Sequence, residues 1–199
     1  MATFRPCLGG TMLTQLSKRR EAQCQDLVAL LGECHQKIRH FVDLARDIAL
    51  HRDVPAEQVA QACADVERYF REALPLHVAD EEESIEPRLR GQSPSVDHVL
   101  DTMAAQHQQH ASKVANLLGA IAKVRSQPCD DVARSELAAA AIALRTEFVD
   151  HLNLEETTIF PAIRELLPSD TQALIIEELR QRRRFDRRTW AAIAQENQS

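Results

Sequence analysis

The sequence predicts an all-α chain: an up-down-up-down four-helix bundle with an extra C-terminal helix. Three observations carry that expectation. The 199 residues include only 5 Gly and 8 Pro, while the helix formers Ala, Leu, Glu, Gln and Arg are plentiful. Apolar residues recur in steps of three and four over four long segments, and no stretch alternates as a strand would. Finally, the pattern H-x3-E-E-x2-I-x-P occurs twice, from His77 to Pro87 and from His151 to Pro161, so two helices present the same face.

Residues 1–20 show no clear period and contain Pro6, Gly9 and Gly10. They read as a loose lead-in, with the bundle expected over residues 21–168 and a C-terminal helix and tail over 169–199. The first helix carries the inward seam Val28, Leu31, His35, Ile38, Val42, Ala45, Ala49. The second carries Val59, Cys63, Val66, Phe70, Ala73, His77, Glu81, Ile85. Pro75 lies inside it and is expected to kink it. The third carries Val96, Leu100, Met103, His107, His110, Val114, Leu117, Ile121, Val124. The fourth carries Leu137, Ala141, Leu144, Phe148, His151, Glu155, Ile159. Seams of this spacing make a bundle core. Breakers separate them around Asp53–Pro55, Gly91–Pro94 and Gln127–Asp131. The last helix is expected from Ser169, just after Pro168.

Polar residues interrupt each seam at one place only. In an antiparallel hairpin, residues at one level are equidistant from the turn. Midpoints between successive polar positions fall near residues 57, 94 and 131, within two residues of the three breakers. All seven residues, His35, His77, Glu81, His107, His110, His151 and Glu155, are therefore expected in one layer. Carboxylates and imidazoles in a core layer have no good apolar explanation, because an uncompensated buried charge is costly. A metal cluster compensates it. Imidazole suits iron, copper, zinc and nickel, and carboxylates can bridge two metals. Five histidines and two glutamates exceed what one four-coordinate zinc needs.

These residues give the chain a resemblance to the bacterial hemerythrin-like (HHE) cation-binding domains. It is carried by Cys34-His35-Gln36-Lys37-Ile38, His77-x3-Glu81-Glu82, Gln106-His107, and His151-x3-Glu155-Glu156 with Phe160-Pro161, and it spans roughly residues 25–167. The resemblance implies two iron ions in a non-haem di-iron centre. It implies Glu81 and Glu155 as bridges, His35 and His77 on one iron, and His107, His110 and His151 on the other, with a position open on the second iron for O2, nitric oxide or peroxide. The oxygen carriers of the family space their third-helix histidines H-x3-H, whereas His107 and His110 are spaced H-x2-H. Binding or sensing of a small ligand is the expected function, since no general acid or redox cysteine stands out on the seams. Two alternatives stay open: a di-iron redox enzyme or iron donor in oxidative or nitrosative stress repair, and a structural bundle holding zinc.

Other features are read plainly. Glu82 and Glu156 step off the seam, and Asp80–Glu83 with Glu86 reads as a solvated acidic face. Tyr69 reads as core, and Cys34 as small core packing. The arginines from Arg180 to Arg188 read as a basic helix end, with docking to an acidic partner or nucleic acid as the lesser reading. A net charge of −6 argues against nucleic acid as the main partner. The five cysteines include no C-x-x-C, which fits a reducing compartment. No apolar run approaches the ~20 residues of a membrane span, and Met1–Thr11 lacks a secretory pattern, so a cytoplasmic protein is expected. No P-loop, G-x-G-x-x-G or nucleophile elbow points to a nucleotide enzyme or hydrolase.

Overall fold

The computed structural model describes the backbone over residues 26–196 and side chains over residues 26–184; the lead-in at 1–20 lies outside that range. Helix α1 (Leu27–Leu50) starts at Asp26, whose side chain accepts from the Val28 N–H at 3.0 Å and satisfies one of the first-turn donors. Helix α2 (residues 56–89), α3 (Pro94–Ser126) and α4 (residues 131–166) complete an antiparallel bundle, and α5 (Ser169–Glu196) follows. The three turns fall where the sequence places its breakers. Gly91 sits in the second with φ +81°, a left-handed conformation that favours glycine. Among the described residues there is no strand, and no helix is long and apolar enough to cross a membrane.

Helices α2 and α4 are continuous rods widened by π-helical turns, at Tyr69–Ala73 and Asp80–Ile85 in α2 and at Glu155–Ile159 in α4. Each widened turn ends two residues before a proline: Pro75, Pro87 and Pro161. A proline has no N–H to give the preceding turn, and its ring presses on the carbonyl four residues back. Adding one residue to that turn relieves both problems, so the N–H of Leu74, Glu86 and Phe160 reaches back five residues, to Tyr69, Glu81 and Glu155. Two consequences bear on the site. The buried seam of α2 steps from Phe70 to Leu74 rather than to Ala73, which is only half-buried. In addition, both repeat glutamates, Glu81 and Glu155, sit at the start of a π turn.

The core is divided in two. One apolar cluster gathers Ile38, Val42, Val66, Phe70, Leu117, Ile121, Leu144 and Phe148. The other gathers Leu31, Ile85, Leu100, Met103, Ile159 and Ile163, and α5 adds Ile175, Ile176 and Leu179 to it. The polar layer lies between them: His35 between Leu31 and Ile38, the His77/Glu81 pair between Leu74 and Ile85, and His151/Glu155 between Phe148 and Ile159. At the far end of the first cluster, the buried Arg134 donates to the carbonyls of Ile48 (2.7 Å), His51 (2.7 Å) and Pro128 (2.6 Å). It thereby closes the carbonyl end of α1.

Candidate metal centre

Six side chains meet in the polar layer as two overlapping groups. His35, His77, Glu81 and Glu155 form one quartet, and Glu81, His107, His151 and Glu155 the other. Within each, one donor atom per residue lies within 4.8 Å of the rest. The two quartets share both carboxylates. The Glu155 carboxylate lies 2.9 Å from His35 Nε2 through one oxygen and 2.7 Å from His151 Nε2 through the other. Glu81 does the same, at 3.1 Å from His77 Nε2 and 3.2 Å from His107 Nε2. Each pair on α2 and α4 follows from the i, i+4 spacing, which puts both side chains on one helix face.

The outer ring nitrogens fix which lone pairs point inward. His35 Nδ1–H donates to Glu156 at 2.8 Å, His107 Nδ1–H to Glu82 at 2.8 Å, and His151 Nδ1–H to the Gln106 side-chain carbonyl at 2.8 Å. With Nδ1 protonated, a neutral imidazole presents an Nε2 lone pair to the centre. Glu82 and Glu156, expected off the seam, thus orient the rings of His107 and His35; Glu156 is also held by Arg39 at 2.9 Å. Two such nitrogens, His107 Nε2 and His151 Nε2, face each other at 3.2 Å. That contact is favourable only with a proton or a cation between them.

The electrostatics of the layer are under tension. Burial lowers His77 to about 3 and His110 to about 4, and lowers His107 as well; these imidazoles are neutral at pH 7. Burial and the neighbouring Glu155 carboxylate push Glu81 well above the ordinary carboxylate range. For Glu155 burial acts in the same direction, but the His151 and His35 contacts outweigh it and hold the group well below that range. Both ring nitrogens of His77, both oxygens of Glu81 and one of Glu155 are buried without a hydrogen-bond partner. Buried polar atoms almost always have one, so this cluster of orphans has the donor chemistry of a metal site.

His110 is not brought into either quartet. It is buried, its ring is 4.8 Å from that of His151 and 4.8 Å from Phe148, and its Nε2 has no partner. The H-x2-H spacing explains the offset. At 100° per residue, i+3 and i+4 fall on opposite sides of the starting residue.

Two readings of charged runs are corrected by the structure. Asp80 is not part of a solvated face: it is fully buried. Nor is the arginine run only a basic helix end. Arg182 and Arg183 turn inward onto the two Asp80 oxygens, Arg183 at 2.6 Å, while Arg182 also reaches Glu83 at 3.0 Å and the Ser84 hydroxyl at 3.1 Å. Burial pushes the Asp80 carboxyl up, and the Arg183 and Arg182 guanidiniums oppose it. The available signal was position: Asp80 is three residues after His77, on its face of the helix.

The family model of the hemerythrin HHE cation binding domain matches residues 26–163. No curated protein matches the chain.

Proposed function

This chain belongs to the hemerythrin HHE cation binding domain family, and on that premise we propose that it holds a non-haem pair of irons and uses them to bind or sense a small ligand such as O2 or nitric oxide. The observation that carries the proposal is the sharing of Glu81 and Glu155 between two quartets, the arrangement that carboxylates bridging two metals require. His35 and His77 would complete one site, and His107 and His151 the other. Bound irons would supply an open coordination position and the electrons for reversible ligand binding.

The chain's own residues do the rest. Glu156, Glu82 and Gln106 hold three imidazoles in the tautomer that ligates. The apolar cluster around Leu31, Ile85 and Leu100 leaves space for no more than about one water beside Glu81 and Glu155.

The test is metal analysis together with the visible spectrum of anaerobic, reduced protein before and after air, nitric oxide or peroxide. Close to two irons per chain and a stoichiometric spectral change with slow autoxidation are expected. One zinc with no capacity to load iron would move the assignment to a structural zinc bundle. Sustained turnover of peroxide or nitric oxide with a reductant, lost in His151→Ala, would move it to the redox enzyme.

A further inference from the structure

A cleft of about 420 Å³ borders the layer on the His107/His151 side. That lies within the roughly 300–1,000 Å³ of small-molecule pockets, and far exceeds what a diatomic gas needs. Phe70, Leu74, Val114 and Phe148 give it apolar walls, and the exposed Glu82 and Glu83 also border it. No lysine or arginine lines it, so an anionic ligand would meet two carboxylates with no compensating cation. His110 lines the same cleft beside the second quartet, and its buried Nε2 has no hydrogen-bond partner. An unpaired buried nitrogen costs free energy until something pairs it.

We infer that this cleft binds a small neutral organic molecule with an apolar body and one hydroxyl or hydroperoxyl head group, and that His110 hydrogen-bonds the head rather than ligating metal. The direction of the head group rests on the two-metal reading above; occupancy of the cleft does not. The contacts that select it are an apolar volume between Phe70 and Phe148 and one imidazole. A free fatty acid is disfavoured by Glu82 and Glu83, and a bare gas would leave most of the volume unfilled.

The test uses 2-phenyl-2-propanol, a redox-inert alcohol, titrated calorimetrically into the full-length iron-loaded and iron-free protein. Iron content and melting temperature are measured for every variant. Saturable one-to-one binding is expected in both forms. Val114→Trp, which fills the cleft, should weaken it at least tenfold. Ala111→Phe, at an exposed position lining the cleft, gives a second block that does not disturb the core. His110→Leu should weaken the alcohol several-fold, the loss expected for one hydrogen bond, while iron content stays unchanged. Absence of saturable binding, or wild-type affinity in both blocked variants, would overturn the pocket. Loss of iron from His110→Leu would overturn the role given to His110. Wild-type protein that takes up no iron yet still binds the alcohol would sink the di-iron reading and leave the pocket standing.

Discussion

The two apolar clusters that flank the polar layer differ in how they are closed. The one around Leu31, Ile85, Leu100 and Ile163 is covered by a fifth helix through Ile175, Ile176 and Leu179. Where it meets the layer, the space left beside Glu81, His107 and Glu155 is about 10 Å³, room for no more than about one water. Among the described residues the cluster around Val42, Phe70, Ile121 and Leu144 has no such cover, and the 420 Å³ cleft opens on its side. The tight side is closed by the bundle's own Leu31, Ile85, Leu100, Met103 and Phe160, and α5, pinned by Arg182 and Arg183 on Asp80, backs the same cluster from outside.

The largest effect is expected at the shared carboxylates, because the two clusters lose their common boundary when these go. Glu81→Ala or Glu155→Ala should remove the metal pair altogether, giving fewer than one metal per chain by elemental analysis. Glu82→Ala should keep most of it. Equal loss from Glu82→Ala would show that the bridging carboxylates are wrongly assigned.

The sealed side has its own point of failure. Replacing Arg182 and Arg183 together by Met leaves the Asp80 carboxylate buried and unpaired, which costs about 3–5 kcal/mol in such cases. Urea unfolding should show a loss of that order. Adding Asp80→Leu to the double variant should recover most of it, since a well-packed apolar group replaces a buried charge at little cost. No recovery would mean that the arginines act through α5 packing and not through Asp80.

That clamp marks the limit of what could be read from the chain. The seams of α1 and α4 were legible throughout: Leu31, His35 and Ile38, or Phe148, His151, Glu155 and Ile159, follow the 3.6-residue period that burial demands. The seam of α2 was legible except at Ala73, where the π turn before Pro75 adds a residue and moves burial to Leu74; His77, Glu81 and Ile85 beyond it are buried as expected. Asp80 was masked by its acidic neighbours, and its partners lie 102 and 103 positions away, beyond any local pattern. The offset of His110 from the quartets needed coordinates, since periodicity places it on the inward face but not at a donor atom's distance.

Metal removal should affect the layer as a whole. Chelation leaves the orphaned atoms of His77, Glu81 and Glu155 uncompensated, and the melting temperature should fall by about 5–10 °C, at ~2–4 °C per kcal/mol for a chain of this size. The metal-free protein should also acquire a pH dependence. His77 and His110, lowered by burial to about 3 and about 4, stay neutral in the fold while the unfolded chain takes up protons below about 6.5, so acidification costs stability. Glu81, raised by burial and by Glu155, keeps its proton in the fold above about 4.3, where the unfolded chain has lost it, so alkalinisation costs stability too. Two histidines against one carboxyl leave a net gain across the window, so melting scans should show stability rising with pH up to about 6.5 and no further. A flat profile in the metal-free protein would show that water reaches the layer.

The smallest effects separate the two sides most finely. Glu156 and Glu82 each accept from the Nδ1–H of a proposed ligand, His35 and His107, at 2.8 Å. Removing such a partner typically costs ~10–100-fold in metal affinity. The two should not cost the same. His35 is fully buried and stacked on Phe160, so a water replacing the partly exposed Glu156 would have to enter the space that its side chain vacates. His107 borders the cleft, where a water can accept in place of Glu82 at little loss. Glu156→Ala should therefore weaken metal binding toward the upper end of that range and Glu82→Ala toward the lower, as read by competition with a chromogenic chelator. The reverse order would place the better-hydrated histidine on the side that α5 covers, and the contrast between a sealed and an open approach would have to be abandoned.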